Sequence, residues 1–120
     1  MKTKLLALLS LVTVLFFASC SKDGADPKFT FSNNLTEGQA NASGEYTITG
    51  TLVSDVNLEK VTLTKEGQNN PFFVDDSEAK NKNNYSFSYL VTGINSNTYI
   101  ILDAYDQDGG KTTVKFFIRK

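Results

Sequence analysis

Residues 45–53 read EYTITGTLV, and their side chains alternate strictly in character along the chain. Tyr46, Ile48, Gly50 and Leu52 occupy one set of alternate positions, and threonines occupy the positions between them. Successive side chains of a β-strand point to opposite faces, so a period of two with β-branched and aromatic residues is typical of a half-buried strand. This stretch therefore predicts a strand with one face in a core.

The same period returns in four further stretches, at residues 60–65, 84–91, 98–106 and 111–118, and begins with the phenylalanines at 29 and 31. A short stretch that starts at Pro71 favours an edge strand, because proline cannot donate a hydrogen bond to a ladder. Turn-forming residues separate these stretches, and no segment after Pro27 shows the 3.6 period of a helix. About seven short strands predict an all-β fold, a single antiparallel sandwich.

The first 19 residues have the pattern of a secretory signal peptide. Two lysines lie within residues 1–4, and residues 5–17 form an apolar run that ends at small residues. A basic start, about 7–15 apolar residues and a small-residue end define such a signal. The run is also shorter than the roughly 20 residues that span a bilayer. We therefore expect residues 1–19 to be absent from the mature protein.

Cys20 is the only cysteine and directly follows the predicted signal. An odd cysteine in an exported protein pairs with another chain, stays free or is modified. Residues 17–19 (FAS) with Cys20 resemble the lipobox of bacterial lipoproteins, which implies that Cys20 is lipidated and that residues 20–27 form a tether. Residues 21–24 (SKDG) resemble the start of lipoproteins from the Bacteroidota. This resemblance implies an outer-membrane anchor, on the cell surface or on the periplasmic face.

The composition excludes several classes of function. The chain has no histidine, so nucleophilic catalysis with a histidine base is ruled out. The neighbouring carboxylates Asp75 and Asp76 would point opposite ways in a strand, which does not suit a facing carboxylate pair. Without the two lysines of the signal, 10 basic and 13 acidic side chains remain, a net charge of −3. A nucleic-acid binder is expected to carry a basic surplus, so we predict neither an enzyme nor a nucleic-acid-binding protein.

Two longer stretches, residues 43–67 and 85–118, look like the bacterial immunoglobulin-like and fibronectin-type-III-like modules. The last hairpin of such modules often reads as a strand, then Ala-x-Asp-x-Asp-Gly, then a strand of alternating threonines. Residues 104–109 (AYDQDG) match that hairpin position by position. The resemblance implies one immunoglobulin-like β-sandwich over residues 28–120, and it specifies a fold rather than a function.

A candidate ligand-binding surface follows from the alternation in the last two strands. If residues 100, 102 and 104 point into the core, then Tyr99, Ile101 and Tyr105 point outward, and Phe117 faces out on the final strand. Neighbouring strands would join these side chains into an apolar and aromatic patch. Exposed contiguous apolar surface marks binding sites, and an aromatic platform suits a sugar ring or a partner protein. The alternatives are ordinary β-propensity and coverage by the loop around residues 72–73.

Asp106 and Asp108 are weak candidates for metal ligands in the last hairpin. Closely spaced oxygen ligands suit calcium, which takes six to eight of them. The favoured interpretation is that these aspartates and Gly109 supply turn geometry. We therefore predict no cofactor and keep calcium as the alternative.

These observations predict a lipid-anchored, non-catalytic binding or adhesion module that takes a glycan or an envelope protein. The alternative is a structural subunit of a larger cell-envelope complex. The topology of such a sandwich also predicts which loops face away from the tether: those at residues 33–44, 75–84 and 93–97.

Overall fold

The computed structural model describes residues 24–120, so the predicted signal peptide and Cys20 lie outside the described residues. Within that range no helix has the length and apolar character needed to cross a bilayer. The eight described strands are β1 (Lys28–Phe31), β2 (Glu37–Gln39), β3 (Tyr46–Val53), β4 (Leu58–Lys65), β5 (Phe73–Asp75), β6 (Asn84–Val91), β7 (Thr98–Asp106) and β8 (Lys111–Arg119). The all-β prediction is therefore confirmed, with one strand more than expected.

The strands form two sheets that pack face to face. The three-stranded sheet has the order β1-β3-β6, and the five-stranded sheet has the order β2-β8-β7-β4-β5. Every pairing is antiparallel except that of β2, which lies parallel to the end of β8. β5 is an edge strand, as the proline at its start predicts. Only the five residues 32–36 connect β1 to β2, so the chain passes from one sheet to the other there.

Burial in β3 follows the alternation seen in the sequence of residues 45–53. Ile48 and Leu52 are fully buried, whereas Thr47 and Thr49 are exposed. Burying such an aliphatic side chain stabilises the fold by about 1.5–3 kcal/mol. The same period places the apolar side chains of β4, β6, β7 and β8 between the sheets, in one core cluster.

Gly50 lies where the backbone of β1 passes close to β3. A Cβ added to Gly50 would lie 2.5 Å from the carbonyl oxygen of Thr30 and 2.8 Å from Cζ of Phe87. Both distances are shorter than real Cβ contacts, so the position has no room for a side chain. The glycine within the alternating stretch is therefore a packing requirement and not a break in the pattern.

The sandwich has two ends. We call the end where β1 begins the tether end, after the predicted tether that precedes β1, and the opposite end the far end. At the tether end, β1 begins and the turns at residues 54–57, 76–83 and 107–110 lie. At the far end lie the connections at residues 32–36, 66–72 and 92–97.

One of the three predicted outward loops is on the wrong end. The loop at residues 75–84 lies at the tether end, where Asn81 N–H donates to the Leu58 carbonyl and Leu58 N–H donates to the Lys82 carbonyl. The physical reason is that β5 pairs antiparallel with β4, so it runs toward the tether end before the chain crosses to β6.

Candidate functional site

The outer face of the five-stranded sheet is the surface that carries the predicted ligand-binding residues. β7 and β8 pair so that Tyr99 is opposite Phe117, Ile101 is opposite Lys115 and Tyr105 is opposite Lys111. The intervening residues of β7 are buried in the core. The outward orientation expected from the alternation is therefore the one that the structure has.

Tyr99 and Phe117 form a ring pair at the far end of this face. Their ring centroids lie 4.8 Å apart with the planes tilted by 50°. Tyr99 is 41% exposed, and Phe117 is half-buried. Ile101 is half-buried and is the diagonal neighbour of Phe117 across the β7–β8 ladder, within reach of its ring. These three side chains form one apolar patch, which we call the far-end patch.

Tyr105 lies apart from the far-end patch. It is six residues from Tyr99 on the same strand, which is roughly 20 Å at about 3.4 Å per residue. Asp103 lies between them and accepts a hydrogen bond from the Thr113 hydroxyl. The Lys111 ammonium is 3.9 Å from the same carboxylate. This polar group divides the face into two aromatic sites instead of one continuous platform.

Lysine side chains lie against the rings at both sites. The Lys115 ammonium is 5.3 Å from the centroid of Tyr99, and Lys60 and Lys111 are 5.0 Å and 5.3 Å from the centroid of Tyr105. An ammonium within about 6 Å of a ring centroid is attracted to the π-face. A ligand at either tyrosine therefore meets a cation and an aromatic ring together.

Lys115 is also fixed by an acidic neighbour. Its ammonium donates a 2.8 Å hydrogen bond to the Glu66 carboxylate. This hydrogen bond, together with the charge of Glu66, raises the pKa of Lys115 above its ordinary value. The sequence contains a signal for these lysines, because Lys60, Lys111 and Lys115 occupy the alternate positions that point outward.

The two weak metal candidates take part in a turn. The Asp106 carboxylate is buried, and its Oδ1 accepts hydrogen bonds from the Asp108 N–H at 2.9 Å and the Gly110 N–H at 2.7 Å. Asp108 is exposed. Residues 24–120 contain no group of three or more histidine, cysteine or acidic side chains that could hold a metal ion.

A buried carboxylate cluster on the opposite side of the sheet was not anticipated. Asp75 is buried, and its Oδ2 accepts hydrogen bonds from the hydroxyls of Tyr89 at 2.7 Å and Tyr85 at 3.1 Å. Its Oδ1 accepts from the backbone N–H groups of the following turn, at Ser77, Glu78 and Ala79. Every oxygen of this carboxylate is therefore used by the fold.

The pKa values in this cluster follow from the same contacts. Burial alone would raise the pKa of Asp75, but the hydrogen bonds from Tyr89, Ala79, Tyr85 and Ser77 outweigh it and lower the pKa below 3.8. Burial raises the pKa of Tyr89 far above its ordinary value, and the ionised Asp75 raises it further. The cluster is thus a carboxylate held charged by neutral phenols, an arrangement that stabilises the two sheets against each other.

The edge strand β5 exposes a run of apolar side chains. Phe72, Phe73 and Val74 are 38%, 41% and 46% exposed. The Phe73 ring lies 5.3 Å from that of Tyr89, on the core side of the sheet, and Phe72 lies beside Lys65. This segment therefore does not cover Tyr99, which removes one alternative explanation for the far-end patch.

Comparison with known proteins identifies the fold alone. The chain resembles a solved structure from Clostridium thermocellum described as "Structures of Clostridium thermocellum CbhA fibronectin(III)-like modules", with a TM-score of 0.56 and 19% identity. The match covers 78% of this chain and 46% of that chain, so this chain spans about half the length of the structure it resembles. No family model matches the sequence, and no curated protein matches it. The fold is a fibronectin-III-like β-sandwich.

Proposed function

We propose that the chain is a membrane-anchored, non-catalytic binding module that uses the far-end patch to take a protein partner. The observation that carries the proposal is the exposed Tyr99 in ring contact with Phe117, beside the Lys115 ammonium. Tyrosine is among the residues that are enriched in binding hot spots. Modules with a fibronectin-III-like fold are typically non-catalytic, which supports the absence of enzymatic activity.

The position of the patch supports the same proposal. Tyr99 and Phe117 lie at the far end of the sandwich, whereas β1 begins at the tether end. If Cys20 is lipidated, seven residues up to Pro27 join the lipid to the domain, and fully extended they reach roughly 23 Å. A patch on the far end then faces away from the membrane, where a partner can reach it.

A protein partner suits this patch better than a glycan. The rings of Tyr99 and Phe117 are tilted by 50°, and the Lys115 ammonium lies over Tyr99. A sugar that stacks needs a free and flat ring face, whereas a protein surface can contact the two tilted rings and the Lys115–Glu66 ion pair beside them. The binding experiment therefore also tests a glycan as the alternative ligand.

Two tyrosines on one strand give a matched pair of variants. The full chain is produced in bacteria as wild type, as Tyr99→Ala and as Tyr105→Ala. For each form, the envelope proteins that it captures and its binding to a glycan array are measured. We expect Tyr99→Ala to weaken capture of a protein by about tenfold or more, as for hot-spot aromatics, and Tyr105→Ala to leave it unchanged. Loss with Tyr105→Ala alone would assign the site to the other end of the face.

The anchor is tested separately. Cys20→Ser removes the thiol that lipid attachment requires, so the protein should move from the membrane fraction to the soluble fraction. A Cys20→Ser protein that stays in the membrane fraction would contradict the anchor.

The second candidate function is a structural subunit of an envelope complex, and the exposed apolar run at residues 72–74 favours it. Apolar residues on an exposed sheet edge are typical of protein contacts. Sedimentation of the detergent-solubilised protein distinguishes the two. A monomer at high concentration argues against a permanent interface, and a stable assembly argues for one.

A further inference from the structure

We propose that the outer edge of β6 is a self-association site, at which β6 of a second copy of this chain pairs antiparallel. The site is separate from the far-end patch, because β6 belongs to the three-stranded sheet. Its basis is the difference between β6 and the other strands that form sheet edges.

Four strands form the edges of the two sheets in residues 24–120. β2 and β5 have three residues each, and β1 has four and directly follows Pro27. β6 has eight residues, contains neither a proline nor a charged side chain, and pairs with β3 without a bulge. Natural proteins protect sheet edges with short strands, prolines, bulges and charges. β6 has none of these protections.

The backbone groups that point to this edge follow from the pairing of β6 with β3. Ser54 N–H donates to the Asn83 carbonyl at 2.9 Å, and the two residues are opposite each other in the register that continues along β6. Hydrogen-bonded and non-hydrogen-bonded pairs alternate in an antiparallel ladder, so residues 85, 87, 89 and 91 bond to β3. Residues 84, 86, 88 and 90 direct their N–H and C=O groups to the open edge, where the described part of the chain offers them no backbone partner.

The sequence of β6 identifies a second β6 as the strand that fits. Residues 85–89 read YSFSY, which is the same in both directions around Phe87. Antiparallel pairing centred on Phe87 places Ser86 opposite Ser88 of the second copy, and their hydroxyls can hydrogen-bond across the strands. No charged residues meet within the paired segment. All four residues that face the edge then pair, with about eight backbone hydrogen bonds in total.

This register also matches the faces of the two sheets. Phe87 is opposite Phe87 of the second copy, so residues that share a face of β6 are opposite each other along the whole strand. The buried side chains of both copies therefore lie on one side of the joined sheet, and the exposed serines lie on the other.

Exposed apolar side chains are concentrated on this side of the sandwich. Phe72, Phe73, Val74 and Leu90 are 38%, 41%, 46% and 58% exposed, and they lie at the two neighbouring edges that β5 and β6 form. The Phe73 ring is 5.3 Å from that of Tyr89, and the register brings Tyr85 of the second copy opposite Tyr89. Pairing would therefore cover apolar surface beside the strands, as expected for an interface.

The association should end at a dimer. The same residues contribute from both copies, so the contact has two-fold symmetry and is closed. Each copy has one long open edge among its described strands, and this edge is used up in the pair.

The antiparallel direction places the tether end of each copy beside the far end of the other. Ala25 N–H donates to Asp55 Oδ2 at 2.8 Å and Pro27 is buried, so this part of the tether is fixed to the domain. Residues 20–24 reach at most about 17 Å, which is less than the roughly 27 Å length of β6. If Cys20 is lipidated, a step that rests on the proposed anchor, the paired copies belong to two facing membranes.

Sedimentation of the full chain in detergent, from about 1 μM to about 1 mM, tests the dimer. We expect a monomer–dimer equilibrium that reverses on dilution, unlike the permanent assembly of a structural subunit. Ser88→Lys brings a lysine of each copy close to that of the other across the edge, so it should weaken dimerisation by about tenfold or more. Thr47→Lys, on the same exposed face but on the central strand β3, should dimerise as wild type.

Disulfide formation tests the register. Residues 86 and 88 of the two copies form a hydrogen-bonded pair, whose Cα atoms lie about 5.5 Å apart, a distance that a disulfide bridges. A mixture of Ser86→Cys and Ser88→Cys chains, oxidised with copper phenanthroline, should therefore form a bond between these two positions. Either variant alone should not form it, because its two cysteines are offset by two residues. Peptide mass spectrometry separates this bond from any that Cys20 forms.

Vesicles of phosphatidylcholine that carry the lipid-anchored protein test the facing arrangement. Wild-type vesicles should cluster, and Ser88→Lys vesicles should stay separate. Dimers in detergent without clustering of vesicles would contradict pairing between facing membranes.

The outcomes are distinct from those of the far-end patch, because Tyr99→Ala should leave the dimer unchanged. The self-association site is overturned if wild type stays monomeric up to about 1 mM, or if Ser88→Lys dimerises as wild type. A disulfide in the mixture that joins other positions would overturn the register centred on Phe87.

Discussion

The Tyr89 hydroxyl on β6 donates a 2.7 Å hydrogen bond to Oδ2 of Asp75 on β5, and this bond joins the two sheets. Tyr89 is buried, and Asp75 is the last residue of an edge strand that has only three residues. A strand this short makes few ladder bonds, so its position depends strongly on the carboxylate. The Asp75 cluster is therefore the first place to test the stability of the fold.

The stability of the fold should fall at acidic pH because Asp75 becomes protonated. Its pKa is lowered in the folded protein, so the ionised form contributes stability that is complete above the unfolded value, near 3.8. That contribution is lost as the pH falls through the lowered, folded pKa. In thermal unfolding followed by circular dichroism from neutral pH to about pH 2, wild type should lose stability more steeply than Asp75→Asn. Asp76→Asn, at the exposed neighbouring position, provides the control for the removal of a carboxylate. Parallel slopes for Asp75→Asn and wild type would show that this carboxylate is not responsible.

The two tyrosines should contribute unequally. Tyr89→Phe removes a buried hydroxyl and leaves one Asp75 oxygen with a weaker partner, so we expect a loss of about 1–2 kcal/mol in the free energy of unfolding. Tyr85 is half-buried, and its bond to Asp75 is longer, so Tyr85→Phe should cost less. Urea unfolding of both variants measures the difference. A larger loss for Tyr85→Phe would contradict this order.

Gly50→Ala should destabilise the fold by about 2–3 kcal/mol, because an added methyl group forces β1 away from β3. Thr47→Ala, on the same strand but exposed, should change the stability by less than about 0.5 kcal/mol. Thermal unfolding of the two variants provides the comparison. Equal melting temperatures would mean that β1 can move aside without cost.

The last hairpin should depend on Asp106 and not on calcium. Asp106→Ala removes the acceptor for two backbone N–H groups and should cost about 1–2 kcal/mol, whereas Asp108→Ala, at an exposed position, should cost little. Because turn N–H groups already bind this carboxylate, we expect millimolar calcium to leave the melting temperature unchanged. A rise with calcium that Asp106→Ala abolishes would restore the metal hypothesis.

The fold was predictable where side chains alternate over eight or nine residues. In β3, β6, β7 and β8 the period of two determines which face is buried, so the outward set of Tyr99, Ile101, Tyr105 and Phe117 follows from the sequence. β2 has the sequence EGQ, which has no apolar alternation, and its pairing with β8 depends on the path of the neighbouring chain. No local pattern could have predicted it.

The arrangement within the candidate site was predictable only in part. The alternation along a strand predicts which side chains share a face. It does not predict which side chains touch each other or which polar groups separate them. Asp103 shares the parity of Tyr99 and Tyr105 and separates them, because Thr113 and Lys111 hold its carboxylate on the surface. The loop at residues 75–84 was placed on the wrong end since a three-residue strand gives too weak a signal to establish the direction of the chain.

The antiparallel pairing of β1 with β3 has a mechanical consequence. A force that pulls the tether end away from a partner held at the far end acts along the length of β1. The four residue pairs between β1 and β3, from Lys28–Val53 to Phe31–Gly50, would then be loaded together in shear instead of being opened one after another. Detaching β1 requires all of these pairs to break at once, so a tethered module of this topology would hold its shape under tension until the whole strand gives way.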